Sequence, residues 1–343
     1  MLPLMGEATH DDRARSRKED TLVNAAVLHT LGEPPRFEEF PDPEPRKDEV
    51  LVRVKAASLK SVDKAMASGS HYGSHRELPL ICGVDGIAFL EDGTRVFCGG
   101  CRAPYGMMAE QAVVRQAFCL PIPDGVDDNT AAALPNPALS SWLPLIWRAK
   151  LQPGETVLIL GATGVAGKLA IQIAKHLGAG RVVAAGRNEQ VLKTLPGLGA
   201  DATIALGQPD QELAAGFVRE ANRKRFDVVL DYVWGHPTEV LLDALTGHDV
   251  MAEGHTLRLI EIGETAGPTI SLSAAALRSS GIEIYGSGGG GTPHSAIFEA
   301  FPQLWALAAS GKLQIDTEPV ALAEIEDAWQ RNDLAGRRLV VIP

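Results

Sequence analysis

Residues 156–167 have the sequence TVLILGATGVAG, which predicts a buried β-strand, a glycine turn and the first turn of a helix. Glycines in such a turn let backbone N–H groups approach a pyrophosphate, and the helix N-terminus adds partial positive charge. Gly167 would let the helix lie close to the strand. A plain strand-to-helix turn is the alternative interpretation of the glycines alone. With the flanking strand and amphipathic helix, the segment predicts a dinucleotide site formed by Gly161, Ala162, Thr163, Gly164, Val165 and Ala166.

The chain around and beyond this turn alternates strands with helices. Four apolar runs have helical stretches between them, which is the spacing of parallel βαβ units; they cover residues 156–160, 181–185, 227–230 and 257–260. The helix after the turn has an apolar stripe that predicts packing against a sheet. We therefore expect an α/β fold with a doubly wound parallel sheet of the Rossmann type over residues 140–287.

The sequence outside these units has a different pattern of predicted secondary structure. Residues 21–139 consist mainly of short β-type runs separated by proline and glycine. After the glycine run 288–291, we expect helices near 295–309 and 323–331, a strand near Val320 and a last strand at 338–342. We interpret residues 288–343 as returning to the first unit, so that the nucleotide-binding domain is inserted in a mainly β domain. Residues 1–20 predict a solvated, disordered tail rather than a signal peptide.

Composition excludes several classes of function. The 343 residues carry 32 Lys and Arg against 43 Asp and Glu, a net charge of −11, which disfavours binding to nucleic acids or anionic membrane surfaces. The longest uncharged stretch, residues 129–147, contains three prolines and is a poor membrane span. Four cysteines in a chain of this length do not make a disulfide scaffold. We therefore expect a globular protein in a reducing compartment, the cytoplasm.

The end of the second predicted strand indicates which dinucleotide binds. NAD sites place Asp or Glu there to hold the ribose 2′-hydroxyl, and a carboxylate would repel a 2′-phosphate. This chain has Gly186, Arg187 and Asn188 instead. The Arg187 guanidinium can bind a phosphate with two hydrogen bonds, so the sequence predicts NADP(H) as the cofactor. A solvated loop arginine is the alternative interpretation.

These segments together resemble the medium-chain dehydrogenase/reductase superfamily, and within it the zinc-independent quinone oxidoreductase branch. The resemblance covers nearly the whole chain outside the tail and rests on eight further segments: PEP at 43–45, EVLVRV at 49–54, AASLKSVD at 56–63, GVDG at 83–86, GTRV at 93–96, YGMMAE at 105–110, PIPDG at 121–125 and GETVL at 154–158. It implies a GroES-like catalytic domain, a Rossmann domain, a cleft between them for the nicotinamide, and a homodimer.

The resemblance also bears on metal sites. The zinc-dependent branch has Cys three residues before Asp63 and a His-Glu pair after Gly83, where this chain has Lys60, Val84 and Asp85. Lysine and valine do not replace those ligands, so we expect no catalytic zinc. Cys98 and Cys101 are similar to the opening of the family's structural zinc lobe, but the other two cysteines of that lobe are missing. We interpret them as two half-buried thiols, with a metal or redox role as alternatives, and predict no metal site.

Three residues are candidates for the catalytic chemistry. The resemblance places Lys60 in the first cleft loop, where its ammonium could face an enolate oxygen or a cofactor phosphate; a structural or solvated lysine is the alternative. It places Asp63 in the cleft wall, although capping of a short helix explains this residue equally well. Tyr72 follows Gly69 much as a cofactor-contacting tyrosine does in quinone reductases, one residue out of register; a half-exposed loop aromatic is the alternative.

The resemblance implies further contacts to the cofactor. Asn136 and Ser140 occupy positions of polar contacts to the nicotinamide, with Ser140 replacing the usual threonine. The turns Ile262-Gly263 and Ser287-Gly288 resemble strand ends whose backbone holds the ribose and carboxamide, and Arg337 precedes the last strand where a basic residue often lies near the cofactor. A plain turn and a surface arginine are the alternatives.

The sequence therefore predicts an NADPH-dependent reductase that transfers hydride to small quinones or α,β-unsaturated carbonyl compounds. Two alternatives within the enzyme class are an enoyl thioester reductase and a zinc-free ketone reductase. An alternative of another class is a catalytically silent NADPH-binding protein with a regulatory or structural role.

Overall fold

The computed structural model describes residues 21–246, 255–288 and 292–343. The predicted tail at 1–20 and part of the glycine run, residues 289–291, lie outside the described residues. The strands are β1 (Leu22–Leu28), β2 (Arg36–Pro41), β3 (Glu49–Ser58), β4 (Leu80–Ile81), β5 (Asp85–Phe89), β6 (Arg95–Gly99), β7 (Gln111–Arg115), β8 (Leu120–Pro121), β9 (Thr156–Leu160), β10 (Arg181–Gly186), β11 (Ala202–Ala205), β12 (Val228–Asp231), β13 (Leu257–Glu261), β14 (Ile282–Gly286), β15 (Thr317–Ala321) and β16 (Arg338–Ile342).

The α-helices are α1 (Ser61–Ser68), α2 (Asp128–Ala133), α3 (Pro135–Leu143), α4 (Val165–His176), α5 (Glu189–Leu192), α6 (Asp210–Arg223), α7 (Gly235–Leu245), α8 (Ala274–Ser279), α9 (His294–Ala309) and α10 (Ile325–Gln330). A π-helical turn, Pro144–Arg148, continues α3. The uncharged stretch 129–147 is thus divided among α2, α3 and this turn, and Pro135 and Pro144 each occupy the first residue of a helical segment. No helix of the described ranges is long and apolar enough to cross a membrane.

Six parallel strands form one sheet in the order β11-β10-β9-β12-β13-β14. Every residue of β9 and β12 is buried, as expected of central strands covered by helices on both faces. The chain order reverses between β9 and β12, and ligands of such sheets bind outside the carboxyl ends of the strands at this point. The predicted doubly wound sheet is confirmed.

The remaining strands form two mainly antiparallel sheets. One has the order β15-β16-β3-β5-β6-β8, with β7 also paired to β3, and the other has the order β2-β1-β4. Alternating positions of β3 are buried in a core with Met107, Met108 and Leu339. Strand β16, which follows the parallel sheet in sequence, pairs with β3, and β15 pairs with β16. The structure therefore confirms an α/β fold in which a mainly β unit accompanies the Rossmann sheet.

Aromatic side chains connect β6 of the larger antiparallel sheet to helix α9. The rings of Phe97 on β6 and Phe301 on α9 lie 5.4 Å apart, and Trp305 is 6.2 Å from Phe301.

The helix expected at 323–331 is a 3₁₀ turn, Leu322–Glu324, followed by α10. It ends at Gln330 because the backbone of Arg331 is extended, with ψ of 135°.

Candidate active site

The glycine turn between β9 and α4 has the geometry of a phosphate-binding turn. Gly161 has φ of +89°, and the N–H groups of Gly161 and Ala162 donate to the Ala185 carbonyl at 2.9 and 2.8 Å. Gly164 is extended and starts α4, whose first N–H groups have no acceptor within the helix. These free donors and the helix dipole suit a pyrophosphate at this end of α4.

Gly167 brings α4 against the turn. A Cβ atom at this position would lie 2.4 Å from the Gly161 carbonyl oxygen and 2.5 Å from the Ala162 Cα. Both neighbours are backbone atoms, so no side-chain rotation relieves the overlap. Only glycine allows this contact.

The end of β10 lies beside the same turn. A Cβ at Gly186 would be 2.4 Å from the Thr163 Cγ2, so the Thr163 side chain fills the space of an acidic residue at this position. Arg187 is exposed and, among the described residues, has no hydrogen-bond or ion-pair partner. Asn188 caps α5 by accepting the Val191 N–H at 3.2 Å. The strand end therefore presents one unpaired cation to solvent and no acidic side chain.

The ends of β12, β13 and β14 complete this edge. The N–H groups of Ile262 and Gly263 donate to the Asp231 carbonyl at 2.8 and 3.2 Å, and the Ser287 N–H donates to the Glu261 carbonyl at 2.8 Å. The predicted turns thus lie at the carboxyl edge, but these three backbone donors bond to the neighbouring strand rather than pointing free into the site.

Tyr232 connects this edge to α3 and was not anticipated from the sequence. Its hydroxyl donates to the Ser140 carbonyl at 3.0 Å and lies 2.8 Å from the Ser141 Oγ, and burial raises its pKa. Ser141 also bonds to the Ala166 carbonyl at 3.2 Å. Tyr232 therefore fixes α3 to the end of β12, and Ser141 joins α3 to the first turn of α4. Its position directly after β12 was the only sequence signal that could have identified it.

We expect Tyr232→Phe to lower the free energy of unfolding by about 1–2 kcal/mol, because two hydrogen bonds to a buried hydroxyl are lost. Urea denaturation measures the difference. Tyr285→Phe is the matched control, since its hydroxyl bonds to the exposed Glu283, and it should change stability by less than about 0.5 kcal/mol. Equal effects of the two substitutions would show that the Tyr232 contact does not fix α3.

Lys60 lies in a buried cluster of charged side chains, which agrees with the alternative of a structural lysine. Its side chain is 1% exposed. Its ammonium donates to the Ser58 carbonyl at 2.8 Å and lies 3.1 Å from Asp85 Oδ1 and 3.3 Å from Asp63 Oδ2. The structure therefore places Lys60 beneath the surface as the counter-ion of two carboxylates.

Asp63 also bonds to the backbone. Its carboxylate accepts the N–H groups of Lys60 at 2.8 Å and Val84 at 3.0 Å, which caps α1 and fixes the residue before β5. Arg338 lies next to this cluster and donates to the Leu59 carbonyl at 2.9 Å. Burial raises the pKa of Asp85, and the Lys60 charge partly opposes that rise. We call Lys60, Asp63, Asp85 and Arg338 the charged cluster.

Tyr72 is the predicted catalytic residue with the most exposed side chain, at 83%. Its ring lies 4.1 Å from that of His71, and a Cβ at Gly288 would be 3.7 Å from its hydroxyl. Tyr72 and Gly288, which are far apart in sequence, are therefore neighbours across the gap between the α1–β4 segment and the end of β14.

Three other predicted contacts are placed as follows. Asn136 is exposed on α3, and the Ser140 hydroxyl donates to the Pro137 carbonyl at 2.9 Å. Arg337 is paired with Glu318 at 2.6 Å, so its guanidinium already has a carboxylate partner. Its neighbour Gly336 lies against the glycine turn, because a Cβ there would be 2.5 Å from the Thr163 carbonyl oxygen.

Within the described ranges, no group of three or more His, Cys, Asp and Glu side chains could hold a metal ion. The four cysteines are free thiols. The edge of the parallel sheet thus brings together the glycine turn, the Gly186–Arg187 strand end and the predicted turns after β13 and β14, while Lys60 and Asp63 belong to the charged cluster.

Two family models, several curated relatives and several solved structures are similar to this chain. Residues 46–124 match the family described as alcohol dehydrogenase GroES-like domain, and residues 166–310 match the family described as zinc-binding dehydrogenase. The chain is 26% identical over 361 residues to the "Probable NADPH-dependent quinone reductase tdiC" of Emericella nidulans, covering 94% of this chain and 100% of that protein. An NADPH-dependent alkenal/one oxidoreductase of Arabidopsis thaliana is 29% identical over 47% of this chain and 46% of its own length.

Among solved structures, the quinone oxidoreductase of Thermus thermophilus, which was also determined with NADPH, is 28% identical. It covers 93% of this chain and 100% of its own, with a TM-score of 0.75. Both family matches, the full-length relative and this structure agree with the fold described above. The chain therefore belongs to the medium-chain dehydrogenase/reductase superfamily, in its quinone oxidoreductase-like branch.

Proposed function

We propose that this protein is an NADPH-dependent reductase that transfers hydride to quinones or α,β-unsaturated carbonyl compounds. The observation that carries the proposal is the carboxyl edge of the parallel sheet, where the glycine turn meets a strand end with Gly186 and Arg187. The quinone reductase and alkenal/one oxidoreductase among the relatives support the same chemistry.

The residues present fit the dinucleotide. The close contact at Gly167 leaves the N-terminal donors of α4 open toward a pyrophosphate, and residues 161–166 would hold it. Arg187 would hold the 2′-phosphate, and Thr163 occupies the space of the carboxylate typical of NAD sites. When bound, the reduced nicotinamide supplies the hydride. Further proposed contacts to the cofactor, taken from the family resemblance, are Asn136, Ser140, Ile262, Gly263, Ser287, Gly288 and Arg337.

We expect Arg187→Ala to raise the KM for NADPH about 10- to 100-fold, because charge-assisted hydrogen bonds contribute about 1.5–3 kcal/mol. The KM for NADH should stay the same, since NADH has no 2′-phosphate. Steady-state kinetics with both nucleotides measure the difference. Arg225→Ala is the matched control, an exposed arginine before the opposite, amino edge of β12. Equal losses with NADPH and NADH would contradict the assigned role of Arg187.

The acceptor would bind beside the edge of the sheet near Tyr72 and Gly288. Tyr72 can donate a hydrogen bond to a carbonyl oxygen on which charge develops, whereas Lys60 and Asp63 would act as positioning residues that hold α1 and the start of β5. Solvent would supply the proton that follows the hydride.

The proposed reaction does not use zinc. Lys60 and Val84 occupy positions where the zinc-dependent branch has ligands. The nearby oxygen atoms of Asp63, Asp85 and the Ser58 carbonyl surround the Lys60 ammonium, which takes the place of a metal cation. Elemental analysis of active protein should find substoichiometric zinc, and a chelator should leave the rate unchanged. Loss of activity on chelation would overturn this part of the proposal.

One assay separates the alternatives. NADPH consumption is measured with quinones, enones, enoyl thioesters and simple ketones. We expect the highest kcat/KM with quinones or enones. Preference for a coenzyme A thioester or a ketone would assign the protein to that substrate class instead. NADPH binding without turnover of any acceptor would favour a catalytically silent NADPH-binding protein.

The proposed assembly is a cytoplasmic homodimer. Among the described residues, β14 is an outer strand of the parallel sheet, and its unpaired edge could bind a second copy of the chain. The free thiols support a reducing compartment. Sedimentation should give twice the monomer mass, and a monomer at micromolar concentration would contradict the assembly.

A further inference from the structure

Cys98 and Cys119 lie opposite each other at one end of an antiparallel strand pair. Strands β6 and β8 pair Val96 with Pro121 and Phe97 with Leu120, so the same register brings Cys98 opposite Cys119. The chain stays adjacent beyond these residues, because a Cβ at Gly100 would lie 3.5 Å from the Phe118 ring. Side chains directly opposite on one face of such a pair have Cβ atoms about 4.5–5.5 Å apart.

The register also indicates which type of pair this is. The Ile122 N–H donates to the Arg95 carbonyl at 3.2 Å, and hydrogen-bonded pairs alternate with non-hydrogen-bonded pairs along an antiparallel ladder. Counting from Arg95 and Ile122, Cys98 and Cys119 form a non-hydrogen-bonded pair, in which side chains approach more closely. A disulfide between them requires only a small movement, because Cβ atoms of disulfides are about 3.5–4.5 Å apart.

The two thiols differ in exposure and in acidity. Cys98 is fully buried, whereas Cys119 is partly exposed and can meet a small solute. The interaction between the two sulfurs lowers the pKa of Cys119 and, together with burial, raises that of Cys98. The Cys119 thiol donates to the Arg115 carbonyl at 3.7 Å. Burial raises the pKa of Cys101 to about 12, which makes it a poorer nucleophile than Cys119 at neutral pH.

We propose that Cys119 is a peroxide-reactive thiol with Cys98 as its resolving partner, and that the pair forms an intramolecular disulfide between β6 and the segment before β8. The Cys119 thiolate attacks one oxygen of hydrogen peroxide, so an S–O bond forms, the O–O bond breaks and hydroxide leaves as water after protonation. The Cys98 sulfur then attacks the Cys119 sulfenic acid, forming the S–S bond and releasing a second water. Two thiols are oxidised and one peroxide is reduced. This pairing differs from the Cys98–Cys101 pair singled out by the sequence.

The test is peptide mapping of the full chain under non-reducing conditions after treatment with hydrogen peroxide. We expect a cross-linked peptide that contains Cys98 and Cys119, a mass loss of two hydrogen atoms, and full recovery of both thiols with a dithiol reductant. Cys119→Ser should abolish the cross-link, and the matched control Cys101→Ser should form it at the wild-type rate. Cys98→Ser should accumulate a sulfenic acid at Cys119 that dimedone traps.

A Cys98–Cys101 disulfide, a cross-link between chains, or retention of all four thiols would overturn the proposal. Wild-type protein and Cys119→Ser suffice if Cys98→Ser does not fold, because Cys119 is the more exposed residue and its substitution removes little packing. The readout is the mass of the peptides, so it does not depend on the reductase activity.

Discussion

Lys60→Met should lower the free energy of unfolding by about 3–5 kcal/mol, because it leaves two buried carboxylates without their shared cation. Methionine keeps most of the length of the lysine side chain, so the change removes charge and hydrogen bonds rather than volume. The ammonium donates a hydrogen bond to the Ser58 carbonyl and forms ion pairs with Asp63 and Asp85. Arg338 remains nearby and offsets part of the lost charge.

The loss should depend on pH in a defined direction. Burial raises the folded-state pKa of Asp85, and Lys60 opposes the rise, so removing Lys60 raises that pKa further. A carboxyl whose pKa is higher in the folded than in the unfolded protein favours folding when it is protonated. That contribution to the free energy of unfolding is lost as pH rises through the folded-state pKa. The difference in stability between variant and wild type should therefore be largest above the folded-state pKa of Asp85 in the variant and shrink as pH falls through that value. Urea denaturation at several pH values measures it.

Lys64→Met is the control for this experiment. Lys64 lies on the same helix, α1, and its ammonium donates to the Arg331 carbonyl at 3.5 Å; burial lowers its pKa. Its substitution should change stability by less than about 1 kcal/mol at any of these pH values. If Lys60→Met and Lys64→Met had the same effect, or if the Lys60→Met deficit grew toward low pH, the charged cluster would not be a coupled group.

The glycine turn could be predicted from the sequence because its determinants are local. A buried strand, three glycines at fixed spacing and an amphipathic helix are contiguous, and the backbone geometry at Gly161 and Gly167 follows from the residue type. The glycine at the end of β10, Gly186, could also be identified from the sequence. The structural reason for a glycine there could not, because the space beside it is filled by Thr163, which lies on another element.

The partners of charged side chains could not be predicted in the same way. Lys60 and Arg337 were candidates for contact with the acceptor or the cofactor, with a structural lysine and a surface arginine as the alternatives. In the structure, Lys60 is paired with Asp85 on β5 and Arg337 with Glu318 on β15. Such pairs depend on tertiary packing between segments that have no fixed spacing along the chain. Family resemblance gives the position of a residue, but not the orientation of a long side chain.

Two further elements show the same limit. Tyr232 has a central place because the strand order reverses beside it, a property of the sheet rather than of its neighbours in sequence. The pairing of Cys98 with the segment before β8 depends on register, whereas the Cys-x-x-Cys spacing directed attention to Cys101. Sequence therefore identifies the backbone of the site better than the side-chain network around it.

Gly167→Ala tests the contact on which the cofactor site depends, and two physical effects predict opposite results. Alanine inside a helix is favoured over glycine by about 1 kcal/mol, which alone would stabilise α4. The new Cβ would meet the Gly161 carbonyl oxygen at 2.4 Å, and such overlap with backbone costs about 1–3 kcal/mol or more. We expect the cost of the overlap to exceed the gain in helix propensity, because both neighbouring atoms belong to the backbone and cannot rotate away.

The variant should therefore be less stable, and its affinity for NADPH should fall about 10- to 100-fold, since α4 must move away from the turn and carry its N-terminal donors with it. Thermal unfolding and titration calorimetry measure the two losses. Gly207→Ala is the control, because a Cβ there meets nothing within 4 Å and it should leave both quantities unchanged. A Gly167→Ala protein that is more stable than wild type and binds NADPH normally would show that α4 does not rest on the turn, and the pyrophosphate would then have to bind elsewhere.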